Sequence, residues 1–401
     1  MRTRVRVSAV LCTAMLLGLL GFVAWTEGVP LYQRAQQVAA VSGTEALALP
    51  AQVYDPSPYV PSTSDVGPPG PVGLVFQGRL AYEGFTGKVP DPWYAVSART
   101  GAYRRLEAPH LQHVQGRLAL SPDGTQVAWA WPGGIDRYDT VTGDVRTYPV
   151  DAVAGSAALV WSPDSTRLAF GRDPVRALDM RTGDVTVLPL VAESASVPAW
   201  TPDGLWVAVV SGDTVEAVEV GSGRHMTFPV ERRAGDPGGF RGADWNASGE
   251  LAGVHRQQRF GRNVLRILRM PPLEPAGVAS AEGVRVRDAS PDQLSIQGFL
   301  GWGSGDEAVL TGLRAVSGPI EQAVVLTVPG RTVSPYMQFP TLGDNWAGVS
   351  TVSVAADLLG APSEDFEQPT RPWSPGAKLL LCLLLALFPA VYYVLARRPR
   401  A

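Results

Sequence analysis

A ten-residue pattern built around Pro-Asp recurs along the chain and limits its fold more than any other feature. It reads Ala119-Leu-Ser-Pro-Asp-Gly-Thr-Gln-Val-Ala128, then Val160-Trp-Ser-Pro-Asp-Ser-Thr-Arg-Leu-Ala169, then Ala199-Trp-Thr-Pro-Asp-Gly-Leu-Trp-Val-Ala208, with two worn copies from Asp244 and Gly301. The clear copies start at residues 119, 160 and 199, which are 41 and then 39 residues apart. Short apolar runs and turn residues at that period predict one four-stranded sheet repeated around an axis, a β-propeller.

Within a copy, an apolar run precedes the Pro-Asp turn and another follows it, as two antiparallel strands require. Pro122, Pro163 and Pro202 preset φ for the turn, and Asp123, Asp164 and Asp203 can bind local backbone N–H groups. These three carboxylates are read as turn structure, since they belong to different sheets and cannot share a metal. A second hairpin follows about twenty residues later in each repeat, with Gly143, Gly183 and Gly223 at its turn. A fainter copy of the two-hairpin layout runs through residues 72 to 107, and two more surround Trp245 and Trp302. The count is six blades, all-β, over residues 71–340, with seven as the alternative if Trp346 to Leu359 starts a further blade rather than adding a closing strand within residues 341–376.

Each end carries an apolar segment with arginines on its terminal side. Val7 to Trp25 has no charged residue and follows Arg2, Arg4 and Arg6; Leu379 to Ala396, within a span set at 377–396, precedes Arg397, Arg398 and Arg400. Both lengths fit a bilayer, and the arginines predict tails 1–6 and 397–401 in the cytoplasm with the ring outside the cell membrane. A cleaved signal peptide is the alternative for the first segment, but its apolar core is long for one and no good Ala-x-Ala site follows it. Residues 26–70 are expected to hold a short helix, Leu31 to Val41, and a Pro-rich tether over 50–71. A second tether, 361–376, carries Pro362, Pro369, Pro372 and Pro375; both are expected to stay extended without burying apolar area.

The only cysteines, Cys12 and Cys382, fall in the two spans, so the ring has neither a disulfide framework nor a thiolate metal site. A net charge of -3 argues against nucleic acid as a partner. No Gly-x-Ser-x-Gly elbow occurs. His110-Leu-Gln-His113 is the one histidine pair at ligand-like spacing, without a Cys or Glu to complete a zinc set, and is read as a polar connection between the first two blades. The sequence thus assigns no catalytic residue, no metal and no cofactor.

One departure from the repeat carries charge. Residues 231–269 hold eight arginines against four acids. In a blade, the loop after the second strand and the connection entering the first emerge on one face, so Arg232, Arg233, Arg256, Arg259 and Arg262 are expected to converge as a patch for an anionic ligand or acidic partner surface. A solvated loop is the alternative.

The pattern, fullest at Trp161 to Phe170, resembles the WD40-like β-propeller repeat of the TolB-like group over roughly residues 71–340. The layout with a span at each end is similar to membrane-anchored actinobacterial members of that group. The resemblance implies the fold and no catalytic residue, because the repeat motif contains none. TolB's own N-terminal α/β domain has no counterpart here, so its partners are not carried over. The expected function is a non-catalytic binding, scaffold or sensing module at the bacterial cell envelope, engaging a protein or envelope component through one face of the ring. The competing readings are a lyase- or oxidase-type enzyme using the central channel, and a purely structural envelope protein.

Overall fold

The computed structural model describes residues 10–25, 46–78, 80–83, 87–114, 118–150, 158–192, 197–211, 214–230, 241–256, 263–270, 285–288, 294–303, 307–315, 321–328, 334–339, 352–368 and 373–396. The expected helix at 31–41 lies outside these residues.

The turn chemistry works as the repeat implies. Ser121 Oγ donates to Asp123 Oδ1 at 2.6 Å, Asp123 Oδ1 accepts from Thr125 N at 3.0 Å, and Ser121 Oγ accepts from Gln126 N at 2.9 Å. The same bonds recur around Ser162 with Asp164 and around Thr201 with Asp203. The residue after Asp is left-handed each time, at φ 72 for Gly124, 57 for Ser165 and 66 for Gly204. Glycine takes that conformation without steric cost, whereas Ser165 adopts it with a Cβ.

Among the described residues, six four-stranded antiparallel sheets result. Five are each built from one continuous stretch of chain. Their inner strands are Ala119–Leu120, Leu159–Trp161, Ala199–Trp200, Arg241–Trp245 and Leu294–Trp302. Residues 72 to 107 do not make a sixth repeat of this kind. They supply only three strands, Val72–Gln77, Trp93–Ser97 and Tyr103–Arg105, and the inner position is filled by Ser353–Val354 from the far end of the chain, in register as Leu74↔Val354 and Val75↔Ser353. Among the described residues, the stretch after Trp346 thus supplies the strand that closes the first sheet, Ser353–Val354, and no further sheet. Between the second and third strands of that sheet, Leu80–Glu83 and Gly87–Pro90 form a separate two-stranded hairpin.

Successive inner strands lie side by side around the axis. Ser353 Oγ accepts from Leu120 N at 3.0 Å, joining the first sheet to the second. Val309, Met337 and Phe339 of the sixth sheet share a core with Leu74 and Val96 of the first, which completes the circle. No single sheet covers both of its own faces, so most of the apolar area is buried between neighbours. The molecule is a β-propeller.

The inner-strand tryptophans stitch that arrangement together. Trp161 Nε1 donates to Ala119 O at 2.9 Å, Trp200 Nε1 to Val160 O at 3.0 Å, and Trp302 Nε1 to Asp244 O at 3.0 Å, each reaching the inner strand of the preceding sheet. Trp245 is buried like Trp161 and Trp200, but its Nε1 has no partner. On the Pro-Asp face, Gln126 Nε2 donates to Ser165 O at 3.2 Å and Arg167 Nη2 to Gly204 O at 2.7 Å, so side chains also tie the second sheet to the third and the third to the fourth.

The two Pro-rich stretches are not loose tethers. Leu49 and Val53 are fully buried, Val53 N donates to Gln338 O at 2.7 Å, and Arg105 N donates to Pro61 O at 3.0 Å, so the first stretch wraps the outer edges of the sixth and first sheets. A short helix, Thr63–Val66, starts there under a capping box made by Ser62 and Asp65. The second stretch meets the first, with Ala51 N donating to Glu364 O and Glu364 N to Leu49 O, both at 2.8 Å. Outer strands leave unpaired N–H and C=O groups, and a Pro-rich segment, unable to sit inside a sheet, still pairs along such an edge. Composition alone read these stretches as unpaired.

At the ends, Pro375–Ala396 is long and apolar enough to cross a membrane; the described part of the N-terminal segment, Val10–Trp25, is an apolar helix of 16 residues, about 24 Å long at 1.5 Å per residue. Val7 to Ala9 of the expected first span lie outside the described residues. One helix, not two, therefore meets the length for a span among the described residues.

Candidate functional site

In each sheet, the loop between the second and third strands leaves from the same end as the connection arriving from the preceding sheet. This defines one rim of the ring, opposite the Pro-Asp turns. Trp131 and Gly134 close such a loop in the second sheet, where they are paired, and His110 lies in the connection from the first sheet to the second.

His110 and Asp136 form a built polar pair on that rim. Asp136, on the strand Gly134–Asp139, has a fully buried side chain, and its Oδ2 lies 2.9 Å from His110 Nδ1. A carboxylate only accepts, so the ring donates through Nδ1 and Nε2 is left as its other hydrogen-bonding atom, in a side chain 36% exposed. His110 itself is left-handed, at φ 58 and ψ -2, a strained conformation for a residue with a Cβ. Trp131 stacks on the imidazole with centroids 3.7 Å apart and planes 17° apart. A side chain on Gly133 would run into the Trp131 indole, so that glycine gives the ring its place. Asp136 Oδ1 has no hydrogen-bond partner. The expected polar connection between the first two blades is thus an oriented histidine. Chemically it offers one hydrogen-bonding or proton-accepting nitrogen, without a nucleophile or second base beside it in the contacts described. Among the described residues no group of three or more His, Cys, Asp and Glu is placed to hold a metal ion.

The arginine patch is only partly within view. Arg232, Arg233, Arg259 and Arg262 lie outside the described residues, and Arg256 is placed by its backbone as the last residue of the strand Glu250–Arg256. Arg256 pairs with Asn263, and Arg241, first residue of the inner strand, pairs with Val254. Arg241 and Arg256 therefore lie at the same end of the fifth sheet, the end that corresponds to the rim His110 occupies in the second.

A second polar feature, Asp244, was not singled out by sequence. It stands on the inner strand of the fifth sheet, partly buried, with Oδ1 accepting from Trp245 N at 2.9 Å. Burial pushes its carboxyl up to about 7, against the opposing effect of that N–H. The signal was present: the residue before the inner tryptophan is Val160 and Ala199 in clear copies, then Asp244 and Gly301 in the worn ones. For Asp136 no comparable signal exists, because a polar residue on a third strand faces solvent as often as a neighbouring sheet.

No family model matches the sequence, and no curated protein matches it. Solved structures do resemble the fold. The β-propeller domain of Cps50 (Swd1) from Myceliophteria thermophila is 12% identical, with 65% of this chain and 85% of that one covered at a TM-score of 0.45. TolB from Acinetobacter baumannii is 15% identical, with 68% and 65% covered at 0.43. Hydrazine synthase from Kuenenia stuttgartiensis is 14% identical, with 59% and 68% covered at 0.43. At these levels the comparisons carry no argument about what this chain does.

Proposed function

We propose that the chain is a membrane-anchored, non-catalytic binding module of the bacterial cell envelope. Its ring stands outside the cytoplasm on the two terminal apolar helices, both chain ends lie inside, and a protein or envelope component is engaged through the rim that carries Arg232, Arg233, Arg256, Arg259 and Arg262. The observation that carries this reading is the C-terminal helix. Pro375–Ala396 presents Leu380, Leu384, Leu385, Phe388 and Tyr392 to its surroundings, which in water is unfavourable and in lipid is not, and three arginines follow it. A ring of six four-stranded sheets on such an anchor offers a broad rigid surface.

Protease added to intact cells is expected to cut between residues 26 and 376 and to spare tags on both termini. A middle region protected until the membrane is opened would overturn the topology. For the rim, replacing Arg256, Arg259 and Arg262 with Ser is expected to lower recovery of crosslinked partners several-fold, and unchanged recovery would remove the arginines from the binding surface.

A further inference from the structure

The two apolar helices touch along a seam whose closest approach is made at small residues. A Cβ added to Gly18 would lie 3.1 Å from Cys382 O, 3.2 Å from Ala386 Cβ and 3.4 Å from Leu383 Cα. Ala14 and Ala390, one turn away on either helix, are buried at 6% and 4% exposure. At the other end of the contact, Trp25 and Trp373 have ring centroids 6.1 Å apart, and Lys378 Nζ lies 5.7 Å from the Trp25 ring. Gly18 against Ala386 and Trp25 beside Trp373 run in opposite chain directions, so the pair is antiparallel. Leu16, Leu17, Leu20, Leu384, Leu385 and Phe388 point away from the seam, each at least half exposed.

Lipid offers apolar side chains no reason to leave it, so helices in a membrane associate where small residues let backbones approach. A seam of Ala14 and Gly18 on Cys382, Ala386 and Ala390, with Leu16, Leu17, Leu20, Leu384, Leu385 and Phe388 turned outward, has that form. The two tryptophans and Lys378 stand where a bilayer interface would hold amphipathic rings and a cation.

We propose that the N-terminal segment is kept in the mature protein as the packing partner of the C-terminal helix, the two forming one antiparallel hairpin in the membrane with Gly18 at the closest approach. This rests on the two-span reading above and adds to it: the helices pair with each other within one chain, and a signal-peptide cut after Trp25 would strip the seam of the C-terminal helix.

The test uses the full chain in its own membranes with Cys12→Ser and Cys382→Ser. The pair Gly18→Cys with Ala386→Cys brings two sulfurs to disulfide distance, so mild oxidation is expected to convert most of the protein to an intramolecular crosslink, seen as a reducible mobility shift at monomer mass. The outward pair Leu17→Cys with Leu385→Cys is expected to stay monomeric and uncrosslinked. Intact mass of the unmodified chain is expected to include the first 25 residues. A mass lacking them overturns the proposal, as does a crosslink from the first pair at dimer mass, which would make the partner a second copy. Full mass with both tags inside and no crosslink sinks the pairing while leaving two separate spans intact.

Discussion

Asp244 and Gly301 occupy the same repeat position in neighbouring sheets and lie against one another: a Cβ on Gly301 would come within 3.2 Å of Asp244 Oδ2, and within 2.9 Å of Leu359 Cδ1 beside it. The carboxylate replaces an apolar residue of the clear copies, and the next copy gives up its side chain to admit it. Gly301 also holds φ 145, outside the range that residues with a Cβ prefer.

Gly301→Ala is therefore expected to destabilise the solubilised full chain by about 2–4 kcal/mol, from the backbone strain and the contact together. Asp244→Ala should recover about 1 kcal/mol of that in the double variant, a coupling read by thermal unfolding across the four-member cycle. Strict additivity would show that the two departures are unrelated.

Asp244 also predicts a pH dependence. Burial raises its carboxyl to about 7 in the folded protein, above the unfolded value of about 4. The folded state thus holds the proton more tightly. Its contribution to stability is full below about pH 4 and is lost as pH rises through about 7, a change on the order of 4 kcal/mol at most. Asp244→Asn keeps the acceptor for Trp245 N and should flatten the profile between those limits relative to the parent chain. Parallel profiles would place the carboxyl in ordinary solvent.

The tryptophan ladder makes a differential test possible. Trp200→Phe removes volume and the bond to Val160 O, whereas Trp245→Phe removes similar volume and no bond. The first is expected to cost about 1 kcal/mol more than the second. Equal losses measured by circular dichroism during urea unfolding would reduce the ladder to packing.

Leu49→Ala distinguishes a packed edge from a tether. Leu49 is fully buried in the same core as Leu74 and Phe339, so a loss of about 2–4 kcal/mol is expected. A mere linker to the membrane would tolerate the change with no shift in the unfolding midpoint.

Much of the ring was legible in the sequence because its instructions are local. Asp123, Asp164 and Asp203 bond N–H groups two residues away, and the alternation around them sets which side chains enter the core, so a ten-residue window holds the information. The arginines from 232 to 262 were legible as charge and, for a propeller blade, as two loops of one face, while Arg232, Arg233, Arg259 and Arg262 lie outside the described residues. His110 was visible as a residue and Asp136 was not visible as its partner, since 26 positions separate them and only the seating of one sheet on the next buries that carboxylate.

The sequence by itself determined a repeated antiparallel sheet, its turns and two apolar ends, since each depends on neighbours within a few residues. Only the tertiary structure decided that Ser353–Val354 completes the sheet begun at Val72, that the Pro-rich stretches lie along open sheet edges, and that Asp244 faces Gly301. Those outcomes depend on which edge or gap remains unfilled once the sheets have closed into a circle, a property of the assembled ring that no short stretch of chain encodes.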